Sequence, residues 1–417
     1  MADLQPLRTL RYEPSAVGSL EDVIAPPYDV IDDELRARLA ARSPYNVVEI
    51  DLPPSYAQAA ATMADWQGQG VLVREDEPAV WLLRQDYEAP GGERRARTGV
   101  LARVRVDEYG PGRIRPHERT HPGPKEDRLK LTRATRTNLS PIFSLFPDAE
   151  GVAGRAMEQI AAAEPFATAA DLDGTTNTLW RSSDEDLVAE LQMALADAEL
   201  LIADGHHRYE TARVYADEVG GEGEHRYVLM LLCSLSDPGL LVFPTHRLLT
   251  GLEDDTAKQL AIREVLMRDF EVEELADAGE LEPPADSTRV AFGYMDSFHK
   301  KPYRVTLKDQ SIADRALDGM PEPYRRLDTA VLEALVLRGA LGMSEDDISH
   351  LRGLDYSKDL DDAIDAVRTG RADAGFFMRA TPVDQVREVA EAGESMPPKS
   401  TYFYPKVPTG LVFNPLT

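Results

Sequence analysis

The stretch Leu200-Leu201-Ile202-Ala203-Asp204-Gly205-His206-His207-Arg208-Tyr209-Glu210-Thr211-Ala212 constrains the fold of this chain more than any other. Its apolar run predicts a buried strand, Gly205 a tight turn, and the residues from about His207 to Val219 a helix. A helix that starts straight after a glycine turn has unpaired N–H groups and the positive end of the macrodipole pointing the same way, which attracts anions. Arg208 adds a planar fork suited to phosphate or carboxylate. Asp204 has three readings: it accepts a proton from a hydroxyl, holds a metal ion, or fixes the turn. His206 and His207 are adjacent, so they point differently, and at most one readily shares a pocket with Asp204. The whole corner is either a ligand site or a structural cap.

The 417 residues exceed the usual limit of a single core, and 43% hydrophobic and 29% charged content is that of a globular protein. Two parts are expected. Residues 1–250 form an N-terminal core carrying the corner, and residues 251–417 a C-terminal α/β part that returns Pro397-Pro398-Lys399-Ser400-Thr401 to the site. The polar stretch Thr250 to Thr256 is the candidate boundary. The net charge of −27, from 46 basic and 73 acidic residues, argues against nucleic acid or anionic membrane as partner. Any phosphate site is therefore local, and the segment Arg113 to Arg136 fits, with six Arg, two Lys and two His against only Glu118, Glu126 and Asp127. The single cysteine, Cys233, lies in an apolar run and excludes an intramolecular disulfide framework. No apolar stretch reaches transmembrane length and Met1 to Gln5 opens no secretory signal, so the cytoplasm is the expected compartment. Oligomeric state is left open.

Short apolar runs alternate with turns along the rest of the chain. Helices are expected at Glu34–Ala41, Tyr56–Gln69, Asp184–Ala198, Leu327–Leu341 and Val383–Ala392. Strands are expected at Asn46–Ile50, Ala79–Tyr87, Arg97–Asp107, Pro141–Phe146, His225–Leu235, Leu240–Phe243, Val290–Met295, Tyr303–Leu307 and Ala374–Arg379. Pro90-Gly91-Gly92 joins two of these strands into a hairpin. Arg113–Asn138 reads as a polar segment without apolar periodicity. The class is α/β (mixed α+β).

Three further groups carry chemistry. His117-Glu118-Arg119-Thr120-His121 matches the zinc pattern His-Glu-x-x-His, which works only on a helix. Pro122, Gly123 and Pro124 follow at once and argue against a continuing zinc helix. Glu118, set among cations that include Lys125 and Arg128, is then either an ionised carboxylate acting as base or metal ligand, or part of a solvated loop. Pro26-Pro27 fixes an extended approach that presents Tyr28 and Asp29 in a defined turn, as candidates for substrate contact. Lys399, Ser400 and Thr401 offer one cation and two hydroxyls after a rigid Pro-Pro pair, without the glycines of a Walker loop.

Taken together, these motifs resemble the bacterial and archaeal family named domain of unknown function 1015. The matching pieces are Pro27-Tyr28-Asp29-Val30, Pro44-Tyr45-Asn46, His117-Glu118-x-Thr120, Asp127-Arg128, Asn138-x-x-Pro141-Ile142-Phe143, Ala203 to Arg208, Pro244 to Arg247, and Met396 to Thr401. More distantly, strand, Asp-Gly-His-x-Arg and helix are similar to the nucleotide-binding motif of the ParB/sulfiredoxin superfamily, which includes ADP- or ATP-dependent kinases acting on free serine. That resemblance implies a ParB/sulfiredoxin-like core. Asp204 takes the place of the motif's Asp, and Gly205, His206 and Arg208 match its other positions; His207 stands where the kinases vary. In those kinases the Asp and a separate Glu serve the substrate hydroxyl, and Glu118 is the candidate for the second. The resemblance implies phosphoryl transfer from ATP or ADP, with Mg²⁺ bridging to Asp204 or Glu118, to a small hydroxyl metabolite such as free L-serine. His117, Thr120, Arg128, Lys399, Ser400 and Thr401 join Gly205 and Arg208 as candidate phosphate or nucleotide contacts. Two alternatives stand beside this one. A phosphatase or other hydrolase would use His206 or His207 as acid or base, and a nucleotide-binding switch would turn nothing over.

Overall fold

In the computed structural model, which describes residues 2–118 and 122–417, the apolar run becomes the strand Leu200–Asp204 inside a nine-stranded mixed sheet. Ile114–Arg115 pairs with it in parallel and Ile142–Phe146 antiparallel. The order continues through Tyr227–Ser234, Arg94–Arg105, Val80–Glu88, Thr176–Ser182 and Ala167–Ala170, and Leu4–Gln5 adds to Arg94–Arg105. Leu200 and Ile202 join Ile142, Phe146 and Met230 in the core, against Tyr209 and Ala212 of the helix that follows the corner. Leu201 and Ala203 point the other way and are buried too. A strand covered on both faces explains an apolar run without alternation. The register slips between Ile202 and Asp204, a bulge after which Asp204, opposite Phe143, is the last paired residue before the candidate corner.

The described residues divide into two compact units. The first holds residues 2–116, 122–241 and 405–417, so its last segment arrives from far along the chain. That segment is tied in by Asn414–Pro415, which pairs with Thr137–Asn138, and by bridges from Phe413 to Leu10 and from Thr409 to Ala25. The second unit holds residues 117–118 and 242–404. Its six-stranded sheet is antiparallel throughout, in the order Phe270–Glu274, Tyr303–Leu307, Ala291–Asp296, Ala374–Phe377, His246–Leu249 and Leu354–Ser357. Consecutive residues face opposite cores. Leu249 and Phe376 pack with the helix Thr256–Asp269, whereas Leu248 and Phe377 pack with the helix Leu360–Thr369.

The hairpin, the corner and the helices at 33–42, 56–68, 185–195 and 383–391 form where the sequence predicts them. Two expectations fail. Asn46–Ile50 is not a strand: the Asn46 carboxamide caps the short helix Val48–Asp51 by accepting from the Val48 amide at 3.1 Å. It also donates to the Asp22 carbonyl at 2.8 Å. A buried cap thus overrides the β-branched run, since Val48 and Ile50 are buried just as well on a helical turn. The polar segment is not all loop either: Pro122–Thr135 is a helix. Proline suits a first helical position, which needs no N–H, so the Pro-Gly-Pro start opens a helix rather than preventing one. The helix expected at Leu327–Leu341 forms as Asp328–Leu332 and continues with π geometry over Glu333–Ala340. Cys233 is a buried free thiol whose pKa burial pushes well up. No helix among the described residues is long and apolar enough to cross a membrane.

Candidate functional site

Gly205 takes φ +96°, a left-handed conformation, and the helix His206–Val219 starts directly after it with no side-chain cap. Asp204, at the strand end, carries two cations. Arg208 donates from Nη2 to Oδ2 at 2.5 Å, and Lys406 donates from Nζ to Oδ1 at 2.6 Å. Burial alone would raise the Asp204 pKa, but Lys406, Arg208 and His206 outweigh it and hold the carboxyl well below the usual range. His206 is buried and His207 half-buried, consistent with adjacent side chains pointing differently. The Arg208 fork is engaged: its Nη1 donates to Ser140 Oγ at 3.0 Å and to the Pro141 carbonyl. The guanidinium lies against Gly205, where an added Cβ would meet Nε at 3.0 Å.

Sequence reasoning does not find Lys406. Nothing in Tyr404-Pro405-Lys406 marks it as a partner of a residue 202 positions earlier. Its backbone is placed by two buried polar side chains. Gln85 Nε2 donates to the Lys406 carbonyl at 3.0 Å, and Arg97 Nη2 donates to the Pro405 carbonyl at 2.6 Å. Those two do not stand out in the sequence either, because their strands also carry Arg84, Asp86, Arg95, Arg103 and Arg105.

Tyr28 and Arg128 lie in the same unit as the corner. With Asp51, Ser140, Arg208 and Thr211 they line a cavity of about 40 Å³, room for a few water molecules but not for a metabolite. Arg128 stacks over the Tyr28 ring at 4.2 Å. Its Nη1 donates to the Asp51 carbonyl and carboxylate, each at 2.9 Å, and its Nη2 to Asp127 at 2.6 Å. Burial pushes the Tyr28 phenol up to about 12. Arg128 is therefore already paired by carboxylates, and Asp29 sits exposed beside Tyr28.

The second unit gathers His117, Glu118, Lys399, Ser400 and Thr401 around one turn. His117 Nε2 lies 2.8 Å from Thr401 Oγ1, and Glu118 Oε1 lies 3.5 Å from the Lys399 amide. Lys399 is exposed and takes φ +56°, unusual for a residue with a side chain. Ser400 is 4% exposed, with its hydroxyl 2.7 Å from the Pro397 carbonyl and 3.0 Å from Thr329 Oγ1. Arg247 Nη2 donates to the Lys399 carbonyl at 3.2 Å. The Ser400 hydroxyl is thus committed to fastening the turn.

Thr120 and His121 lie outside the described residues, so the phosphate contact of the first and the zinc pattern of the second are not placed. Residue 118 forms a β-bridge with Met396. Among the described residues no three His, Cys, Asp or Glu side chains gather as metal ligands. Asp204 does not fit the expected Mg²⁺ role as it stands, because each of its oxygens already faces a cation.

The architecture is that of a mixed α/β protein: a large mixed sheet with a cationic strand-to-helix corner, and a second unit built on an antiparallel sheet. The model of the family described as Protein of unknown function (DUF1015) matches residues 4–330, and the chain belongs to that family. Among curated proteins no sequence matches. Solved structures similar to the chain include the following. A free serine kinase variant in complex with AMP shares 15% identity over 75% of this chain and 92% of that one, with a TM-score of 0.39. A conserved hypothetical protein from Pyrococcus furiosus shares 17% identity over 75% and 93%, with a TM-score of 0.37. C-terminally truncated SbnI from Staphylococcus aureus shares 12% over 74% and 87%, with a TM-score of 0.37.

Proposed function

We propose that the corner binds the phosphates of ATP or ADP, and that the protein transfers a phosphoryl group to a small hydroxyl metabolite. The observation that carries this reading is the meeting of Lys406 and Arg208 on Asp204 beside the start of the helix His206–Val219. Phosphoryl transfer requires chiefly positioning and neutralisation of charge, and two cations held beside a helix start suit both. In this reading the core is ParB/sulfiredoxin-like, and its motif makes free L-serine the first acceptor to test. The serine oxygen forms the new O–P bond, the phosphoanhydride bond breaks, and the hydroxyl proton leaves to a base.

Asp204 is a poor candidate for that base, because a carboxylate held so strongly ionised has little affinity for a proton. Its role here is to keep Lys406 and Arg208 in place until a phosphate takes them over. His206 and His207, within the corner itself, are the proposed proton acceptors. Glu118 is proposed from its sequence context alone, and E118Q tests it. Magnesium would arrive with the nucleotide phosphates, and no step is assigned to it.

Incubation with ATP or ADP, Mg²⁺ and L-serine should give phosphoserine by ³¹P NMR, and K406M should lower its rate at least tenfold. No phosphorylated product across a panel of small alcohols overturns the proposal. Phosphate released from a phosphometabolite without nucleotide would instead favour the phosphatase, and tight nucleotide binding without turnover the switch.

A further inference from the structure

Three polar side chains cross the large sheet of the first unit on a single rung. Asn177 faces Gln85 in the register of one strand pair, and Gln85 faces Arg97 in the next. Each is about 1% exposed. Arg97 Nη2 donates to Gln85 Oε1, Gln85 Nε2 to Asn177 Oδ1 at 2.9 Å, and Asn177 Nδ2 to Asp171 Oδ2 at 3.0 Å. Every donor points the same way, from a guanidinium at one end to a carboxyl at the other, so each bond polarises the next. The second hydrogens of Arg97 Nη2 and Gln85 Nε2 hold the carbonyls of Pro405 and Lys406.

We propose that Asp171 is a positioning residue for the corner: through Asn177, Gln85 and Arg97 it fixes the 405–406 backbone that delivers Lys406 to Asp204. Its importance for nucleotide binding rests on the phosphate reading given above. Asp171 stands in a turn with Asp173, and the amide of Thr175 donates to both carboxylates, at 3.0 and 3.1 Å. Glu21, from the turn packed beside it, takes the Ala170 amide at 3.0 Å. Burial first, then the hydrogen bond and charge of Asp173, push the Asp171 pKa up to about 8. The acceptor end of the row therefore gains its full charge as pH rises through about 8, and the grip on residues 405–406 tightens.

The test follows the ¹³Cε signal of Lys406, assigned with K406M in ¹³C-lysine protein, from pH 6 to 9.5, together with AMP affinity. Wild type should show a step near pH 8 in the signal. D173N, which removes the like charge but keeps Asp171, should move that step down by at least one pH unit, and D171N should abolish it. At pH 9 D171N should bind AMP several-fold more weakly than wild type, and at pH 6.5 within twofold of it. Identical pH profiles for wild type and D173N overturn the proposal even if D171N does not fold. A Lys406 step that responds to both variants, with no AMP binding at any pH, leaves the row standing and removes the phosphate reading instead.

Discussion

The corner at 204–208 and the turn at 397–401 look alike in sequence, each a short polar run at a rigid bend, yet they use their side chains differently. In the turn, Ser400, Thr401 and the backbone around Lys399 are taken up by Thr329, His117, Glu118 and Arg247. In the corner, two cations rest on one carboxylate beside a helix start. A left-handed residue is present in both, but Gly205 adopts it at no steric cost whereas Lys399 is held in it by its neighbours. The lesson is that hydroxyls and a lysine beside prolines serve closure as readily as binding. Under the proposed function, two cations sharing one carboxylate beside a helix start are the better mark of a ligand.

The largest effect that would break this comparison is expected at the two left-handed residues. G205A imposes strain and drives a Cβ against the Arg208 guanidinium, so it should cost about 1–3 kcal/mol and displace the fork. K399G removes strain and should change stability by less than about 1 kcal/mol. Chemical denaturation of both variants checks the contrast, and equal losses would erase it. Next comes K406M, which leaves Asp204 with one cation and should cost roughly 2 kcal/mol at neutral pH. Because the folded pKa of Asp204 is depressed, its contribution is present above the unfolded carboxylate value of about 3.9 and is lost as pH falls through the folded one. K406M should therefore move the acid unfolding limb to higher pH, as circular dichroism would record. A smaller effect than that of K406M is expected from S400A, about 1 kcal/mol from a buried hydroxyl that fastens the turn, without loss of nucleotide affinity. A large loss of affinity in S400A would make the two regions alike after all.

What the sequence makes legible is what local chemistry determines. The apolar run and Gly205 announce strand, bend and helix because both faces of that strand are buried and only glycine accepts the bend without strain. Asn46 misleads because the bond that anchors its carboxamide reaches back to the Asp22 carbonyl, a contact no short window of residues contains. Arg128 reads as a free cation because its partner Asp51 lies 77 residues away. Lys406 is silent for the same reason, since a single lysine in an aromatic segment has no period and no motif. The corner's anionic half is thus plain in the sequence, and half of its positive charge is not.

The return of residues 405–417 to the first unit has a consequence for biogenesis. A ribosome that has just released Arg208 must add nearly two hundred more residues before Lys406 can reach Asp204. Residues 242–404 of the second unit are all synthesised within that interval, as an insertion between two segments of its neighbour. Nascent chains arrested anywhere inside it would own the aspartate and the arginine without the lysine, so the corner is completed only by the late segment.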